Sequence, residues 1–152
     1  MKNSKLSISI DDEIALISIH PQYVEKIISG EKNIEFRRVW PEQRISTMVV
    51  YATSPIQRIA AVIEITDVLR ASRTTLWKAA SFEGGGVTKQ VLFDYLEGKQ
   101  QGIGLRLGKR VTFSDGILPS SIFGKTFRPP QSFRYLSTVE KNKIKKLLDK
   151  HS

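Results

Sequence analysis

The stretch SGEKNIEFRR, residues 29–38, lies where the chain is expected to leave a helix and enter a strand. Before it, HPQYVEKIISG has Val24 and Ile27 spaced for one helical face, a proline suited to the first helical position and Gly30 suited to the C-terminal cap. A plain surface turn does not need lysine, glutamate and arginine in such close succession. We therefore expect this junction to serve a function.

Outward from the junction, the remaining pattern predicts short strands and inserted helices. Two short helices are expected in TTLWKAAS and VTKQVLFDYLEG, joined by FEGGG as a flexible loop. The predicted strands are IALISI (14–19), the hairpin pair TMVVYAT (47–53) and RIAAVIEITDVL (58–69), GIGLRLGKRVTFSD (102–115) with a bend or bulge at its glycines, and QSFRYL (131–136) after a loop.

These elements do not follow a regular βαβ alternation. We therefore predict an α+β domain, in which five or six mostly antiparallel strands form a curled sheet or small β-barrel surrounded by helices. A length of 152 residues with 40% hydrophobic content fits one domain. Residues 1–13 are expected to form an N-terminal tail, and residues 14–152 a single domain that ends in a helix over 138–150, where Ser137 and Glu140 have capping-box spacing.

The charge balance favours a polyanionic partner. Lysine and arginine outnumber aspartate and glutamate by 24 to 15, which gives a formal net charge of +9. Part of the excess lies in the C-terminal helix, which is either a solvated face or a nucleic-acid contact. Its lysines are Lys141, Lys143, Lys145, Lys146 and Lys150.

Composition also excludes several classes of chemistry. The absence of cysteine excludes disulfides, thiol nucleophiles and cysteine-ligated zinc, and two histidines do not suffice for a histidine-built metal site. We expect no metal and no cofactor. No run of about 18 apolar residues and no signal-peptide pattern occurs, so we expect a cytoplasmic protein without a membrane partner.

Within the opening stretch, Gly30, Lys32, Glu35 and Arg37 stand in the order G-x-K-x-x-E-x-R. This order, directly after the first helix, resembles the signature of ASCH domains, a branch of the PUA-like superfamily. The resemblance extends through VVYATSP and PPQSFRYL, and it covers roughly residues 14–136. It implies a PUA-type barrel whose cleft near the signature accepts RNA or a nucleoside-like ligand, with RNA cleavage or nucleoside hydrolysis in some members.

The signature residues suit an anionic or nucleotide ligand. Lys32, Arg37 and Arg38 can hold a phosphate, and Glu35 can accept a hydrogen bond from the exocyclic amine of a base. The alternative is that Glu35 and the arginines pair with one another and close the barrel edge. Lys32 and Glu35 can converge only if the strand begins after Lys32 or twists sharply there.

Further candidate contacts lie elsewhere in the chain. The final strand offers Gln131, Ser132, Arg134 and Tyr135, of which Tyr135 can stack a base or else belong to the core. Ser54 is either a phosphate or ribose contact or a plain turn residue. Trp77 and Tyr95 are assigned to packing.

Catalysis is the second hypothesis. The hydrolase members of the family cleave the acyl amide of N4-acetylcytidine with the signature lysine, a threonine and a glutamate. Lys32 matches that lysine, Glu35 replaces the threonine, and Glu83 is the candidate third group. RNA cleavage would use Glu35 or Lys32 as base and Arg37 or Arg38 to stabilise the phosphorane. His20 is expected to cap the first helix and His151 to lie in the tail.

The leading prediction is therefore an RNA-binding or nucleotide-binding module, with single-stranded or modified RNA or a nucleoside-like molecule as its partner. The alternatives are a metal-independent amidohydrolase or ribonuclease acting from the same cleft, and a regulatory module whose ligand is a small metabolite. Neither the oligomeric state nor the pathway follows from the sequence.

Overall fold

In the computed structural model, which describes residues 5–151, six strands form one curled sheet and five helices pack around it. The strands are β1 (Ile14–Ile19), β2 (Ile34–Arg37), β3 (Thr47–Ala52), β4 (Arg58–Ala71), β5 (Gly102–Ile117) and β6 (Phe133–Tyr135). The helices are α1 (Pro21–Ser29), α2 (Arg73–Glu83), α3 (Lys89–Tyr95), α4 (Ser120–Phe123) and α5 (Thr138–Lys150).

The strand order is β2-β5-β4-β3-β1-β6, so β2 and β6 are the two edges of the sheet. Among the strands within residues 5–151, only β1 and β3 pair in parallel, with Ile14 opposite Thr47, and the other neighbours run antiparallel. The register between β4 and β5 shifts near Gly108, where Ile63 pairs with Arg110 but Ile65 with Leu107. The prediction of a curled α+β sheet with mostly antiparallel strands is confirmed.

Each face of the sheet carries a buried apolar cluster. Along β1, Ala15, Ile17 and Ile19 belong to one apolar cluster and Ile14 and Leu16 to another, because neighbouring side chains in a strand point to opposite faces. Helix α1 packs on the first cluster and α5 on the second. This explains why IALISI is apolar at five of its six positions rather than alternating between apolar and polar residues.

The N-terminal segment contributes to the core. Leu6 and Ile8, within the region predicted to be a tail, are buried in the same cluster as α5. Lys141 of α5 also donates a hydrogen bond to the carbonyl of Ile10 at 3.1 Å. Residues 5–13 therefore pack against the domain although they form neither helix nor strand.

Helices α2 and α3 form an insertion between β4 and β5 and pack on the third apolar cluster, with Ile34 and Phe36 of β2. The glycine run between them, predicted to be a flexible loop, is bound to the signature stretch instead. Asn33 donates its backbone N–H to the carbonyl of Gly84 at 2.7 Å, and Lys32 and Gly85 form a β-bridge. A Cβ on Gly86 would lie 2.7 Å from the Cβ of Lys32, so the close approach requires glycine.

Two details at the C-terminal end bear on the predictions, one as a difference and one as a confirmation. The segment before β6, predicted to be loop, contains the four-residue helix α4. Helix α5 begins with a capping box in which Ser137 and Glu140 satisfy each other's backbone N–H groups.

Among residues 5–151, no helix has the length and apolar character needed to cross a membrane.

Candidate nucleic-acid cleft

A cleft of about 360 Å³ opens where α1, β2, α3 and the segment before β6 meet. Its volume falls within the range of about 300–1,000 Å³ that is usual for small-molecule sites. One part of the wall is polar and the other apolar. The polar residues are Ser18, His20, Lys32, Glu35, Arg37 and Gln131, and the remaining lining comes from Ile19, Tyr23, Phe36, Val87, Val91, Leu92 and Tyr95.

Lys32 lies at the floor of the cleft and is only 2% exposed. Its Nζ donates to the carbonyl oxygen of Gly85 at 2.8 Å and lies 3.7 Å from Glu35 Oε1. The same nitrogen is 5.5 Å from the ring centroid of Tyr23 and 4.9 Å from that of Phe36, within the range of cation–π contacts. Burial lowers the pKa of Lys32, and the Glu35 carboxylate opposes that shift.

Lys32 and Glu35 converge because β2 begins at Ile34, after the lysine. The intervening loop is held from two sides. The Lys32 backbone N–H donates to the carbonyl of Lys26 at 2.9 Å. Arg110 of β5 donates to the carbonyls of Ile27 and Lys32 and, at 2.6 Å, to Asn33 Oδ1. The lysine is thus positioned by the C-terminal end of α1 and by the sheet.

Glu35 and Arg37 share one face of β2 and pair with each other. Arg37 Nη1 donates to Glu35 Oε2 at 3.2 Å, and Arg37 Nη2 donates to the backbone carbonyl of Ser132 at 2.8 Å. The ion pair considered as an alternative to a ligand site is therefore present, and it lies inside the cleft. With Lys32 on the other oxygen, one buried carboxylate faces two cations, so the trio carries a formal charge of +1.

Helix α3 supplies three of the seven residues of the apolar wall. Tyr95, assigned from the sequence to packing, is 40% exposed and lines the cleft with Val91, one helical turn before it. Burial raises the pKa of the Tyr95 hydroxyl, while the nearby Arg37 opposes this shift. Arg38 holds this end of α3 by donating to the backbone carbonyls of Tyr95 at 2.6 Å and Glu97 at 3.1 Å.

Except for Gln131, the remaining predicted site residues lie outside the lining of the cleft. Glu83 accepts two hydrogen bonds from Arg106, at 2.8 and 2.9 Å. Arg134 donates two to Glu140, both at 3.0 Å.

Tyr135 packs against the first cluster and directs its hydroxyl to Gln43 Oε1 at 3.4 Å. Ser54 is exposed in the turn between β3 and β4. Of the final stretch, Gln131 lines the cleft, and Ser132 contributes its backbone carbonyl to Arg37.

The structure also brings residues to the cleft that the sequence did not single out as site residues. His20 occupies the N-cap position of α1, but its side chain makes no capping hydrogen bond. It lines the cleft, with Nδ1 3.4 Å from Thr53 Oγ1. Tyr23 follows in the first turn of α1, and Ser18 donates to the carbonyl of Pro130 at 2.8 Å. For His20 and Tyr23, the only signal in the sequence was their position at the start of the helix that precedes the signature stretch.

The curled sheet, the surrounding helices and the cleft at the junction of α1 and β2 define a PUA-like domain. Within that class the chain belongs to the ASCH domain family, whose model matches residues 17–103.

A relative from Zymomonas mobilis named ASCH domain-containing ribonuclease is 28% identical over an alignment of 140 residues that covers 88% of this chain and 91% of the relative. The crystal structure of ASCH from Zymomonas mobilis has a TM-score of 0.74 at 27% identity, covering 88% of this chain and 94% of that one. A serine-to-alanine mutant of that protein has a TM-score of 0.75 at 26% identity, covering 90% and 97%.

Proposed function

We propose that this protein binds RNA and that the cleft takes one unpaired nucleotide. The observation that carries the proposal is Lys32, a cation that is buried between aromatic rings yet lines an open cleft. Burying a charged side chain costs free energy, and strongly perturbed ionisable groups in clefts concentrate at functional sites. A phosphate or other anionic group would balance the charge of +1 that remains because Lys32 and Arg37 share the single carboxylate of Glu35.

The two walls of the cleft suit the two ends of a nucleotide. Lys32 and Arg37 would face the phosphate, whereas Val91 and Tyr95 would pack against the base. Gln131, at the rim, has an amide that can donate to and accept from the edge of a base. The base must be unpaired to enter, which favours single-stranded RNA over a duplex.

Two further findings support RNA as the ligand. The net charge of +9 attracts polyanions, and a relative that aligns with most of this chain is named a ribonuclease. Arg38, Arg134, Tyr135 and Ser54 have no part in this proposal because they lie away from the cleft lining.

The test is a titration with single-stranded RNA, duplex RNA and DNA of equal length, using the full chain and the variant Lys32→Met. The variant removes the ammonium but keeps a long apolar stem. We expect its affinity for single-stranded RNA to fall about 10- to 100-fold, since hydrogen bonds to charged groups contribute about 1.5–3 kcal/mol. The matched control is Lys145→Met on α5, which removes the same charge from an exposed site. Equal losses in the two variants would refute the cleft as the binding site.

RNA cleavage is the second candidate, and His20 is the observation that favours it. A neutral imidazole beside the cleft can take the proton of a ribose 2′-hydroxyl, whose oxygen then attacks the adjacent phosphorus. The P–O2′ bond forms and the P–O5′ bond breaks, and the departing 5′ oxygen takes a proton from water, leaving a 2′,3′-cyclic phosphate and a 5′-hydroxyl. Lys32 and Arg37 would stabilise the charge of the phosphorane.

The products decide between binding and cleavage. If the protein cleaves RNA in this way, the new 3′ ends carry a cyclic phosphate, and RNA with 2′-O-methyl groups binds but stays intact. His20→Gln would then lower the cleavage rate about 10²- to 10⁴-fold, the usual contribution of general acid–base catalysis, with little change in affinity. If the RNA stays intact after prolonged incubation with the full chain, the protein binds RNA without cleaving it. Adding N4-acetylcytidine to the same assay tests the amidohydrolase alternative.

A further inference from the structure

The lysine-rich helix α5 lies on the opposite face of the sheet from the helix that borders the cleft. Ile144 and Leu148 of α5 pack in the cluster that contains Leu16, whereas Val24 and Ile27 of α1 pack in the cluster that contains Ile17. Since Leu16 and Ile17 point to opposite sides of β1, α5 and α1 cover different faces. Any ligand on the outer surface of α5 is therefore separate from the cleft.

Three lysines of α5 form a stripe, which we call the α5 stripe and define as Lys143, Lys146 and Lys150. Their spacing of three and four residues places them on one side of the helix, and all three are exposed. Lys143 Nζ approaches the carbonyl of Ile122 at 3.5 Å, so the α5 stripe borders α4. The segment after α4 adds two more exposed cations, Lys125 and Arg128.

Little negative charge offsets this surface. From Thr138 to His151 the chain has five lysines and two acids, and because Lys141 is buried the surface carries four lysines against these two acids, a balance of two positive charges. One acid, Glu140, is engaged by two hydrogen bonds from Arg134. A polyanion can therefore approach the α5 stripe with net attraction.

We propose that the α5 stripe, together with Lys125 and Arg128, is a second RNA-binding face that contacts the phosphate backbone independently of the cleft. An anionic membrane is the other source of phosphate groups, but a helix that lies in a membrane interface must direct an apolar face into the lipid. The apolar face of α5 is buried in the protein, with Ile144 and Leu148 exposed by 0% and 2%. A backbone contact needs no unpaired base, so this face accepts duplex RNA, which the cleft cannot admit.

The experiment measures the binding of duplex RNA of about two helical turns over a series of salt concentrations, with the full chain, the variant K143Q/K146Q/K150Q and a matched control. The control K78Q/K109Q/K145Q removes the same charge from exposed lysines outside the stripe, of which Lys145 is on α5 but is not spaced at three or four residues from any of the stripe lysines. We expect the slope of log affinity against log salt to become shallower by about 0.9 for each phosphate that the stripe variant no longer neutralises. We expect the control to retain the slope of the full chain.

Three outcomes overturn the inference: an unchanged slope in the stripe variant, equal changes of slope in variant and control, or binding to phosphatidylserine vesicles without binding to duplex RNA. The variant Lys32→Met separates this inference from the proposed function. If the cleft is not an RNA site, Lys32→Met binds single-stranded RNA like the full chain, and the stripe variant still shows a shallower salt slope on duplex RNA. If the cleft binds RNA but the α5 stripe does not, Lys32→Met loses affinity for single-stranded RNA and the stripe variant keeps the salt slope of the full chain.

Discussion

At the scale of single residues, Lys32 is a buried cation that lines the cleft, and burying its charge costs free energy. The side chain of Lys32 is 2% exposed, so its ammonium group loses most of its hydration. In the folded chain it donates one hydrogen bond to a carbonyl and lies 3.7 Å from a carboxylate. The lowered pKa shows that burial outweighs the attraction of Glu35. In its charged form the buried lysine therefore reduces the stability of the free protein, and a ligand anion would remove part of that cost.

This balance predicts a pH dependence of stability that belongs to Lys32. Since its pKa is lower in the folded chain than the ordinary value of 10.5, the unfolded chain binds more protons at pH values between the two. The free energy of unfolding of the wild type, minus that of Lys32→Met, should rise with pH through this window and level off near 10.5. Urea unfolding from neutral to alkaline pH measures it, and a difference that stays flat or falls would contradict the assignment.

We expect the contribution of Glu35 to stability to depend on Lys32, because the Glu35 carboxylate lies between Lys32 and Arg37. The substitution Glu35→Gln leaves two buried cations facing each other, so we expect a loss of about 3 kcal/mol in the free energy of unfolding. In a Lys32→Met background one cation is already absent, and the same substitution should cost less. A double-mutant cycle by urea unfolding tests this, and equal costs in both backgrounds would show that the carboxylate is not coupled to the lysine.

The sequence indicated part of the site for a clear physical reason. Lys32, Glu35 and Arg37 are close in the chain, so one loop and one short strand bring them together. Glu83 had a suitable chemical group, but its partner Arg106 lies on a distant strand that the sequence did not link to it. Tyr95 and His20 reach the cleft only through the packing of α3 and α1 around β2, which depends on the tertiary structure.

At the scale of elements, the glycine run between α2 and α3 controls the position of Lys32. We predict that Gly86→Ala weakens the affinity for single-stranded RNA about tenfold, because a Cβ there collides with the lysine stem at 2.7 Å. Gly124→Ala is the matched control, since both glycines have positive φ and Gly124 has no atom within 4 Å of an added Cβ. Both variants should lose about 1 kcal/mol of stability from the backbone conformation alone. Equal RNA affinities in the two variants would contradict this prediction.

Helix α5 is part of the core as well as a charged surface. We predict that truncation after Ser137 abolishes cooperative thermal unfolding. It removes Ile144 and Leu148, and each such side chain contributes about 2–5 kcal/mol to a domain whose total stability is about 5–15 kcal/mol. Calorimetry checks this, with K143Q/K146Q/K150Q as the full-length control that should melt cooperatively. A sharp transition in the truncated chain would show that α5 is dispensable for folding.

Elements with a strong local pattern were predictable, and those that depend on distant contacts were not. Strand β1 and helix α1 follow from an apolar run and from a proline and glycine at the two ends of a periodic segment. Helix α4 has only four residues, too few for a period to show. The burial of Leu6 and Ile8 depends on α5 and β4, which lie far along the chain.

At the scale of the whole molecule, the excess of positive charge should act on RNA and on a neutral nucleoside in different ways. We predict that the affinity for single-stranded RNA falls steeply between about 50 and 200 mM salt, because counterions are released from the phosphates. Cytidine, which has no phosphate, should bind the cleft with an affinity that salt does not change. Titration calorimetry on both ligands measures this, and parallel losses for cytidine and RNA would contradict it.

The hydrogen bond from Arg37 to Ser132 links the two edges of the sheet, because Arg37 lies on β2 and Ser132 directly precedes β6. These strands are farthest apart in the strand order, so this hydrogen bond joins the two edges across the open side of the curled sheet. A ligand that engages the Arg37 guanidinium therefore acts on both edges together. Amide hydrogen exchange in β6, a strand of three residues, should slow on occupancy of the cleft and so report ligand binding from outside it.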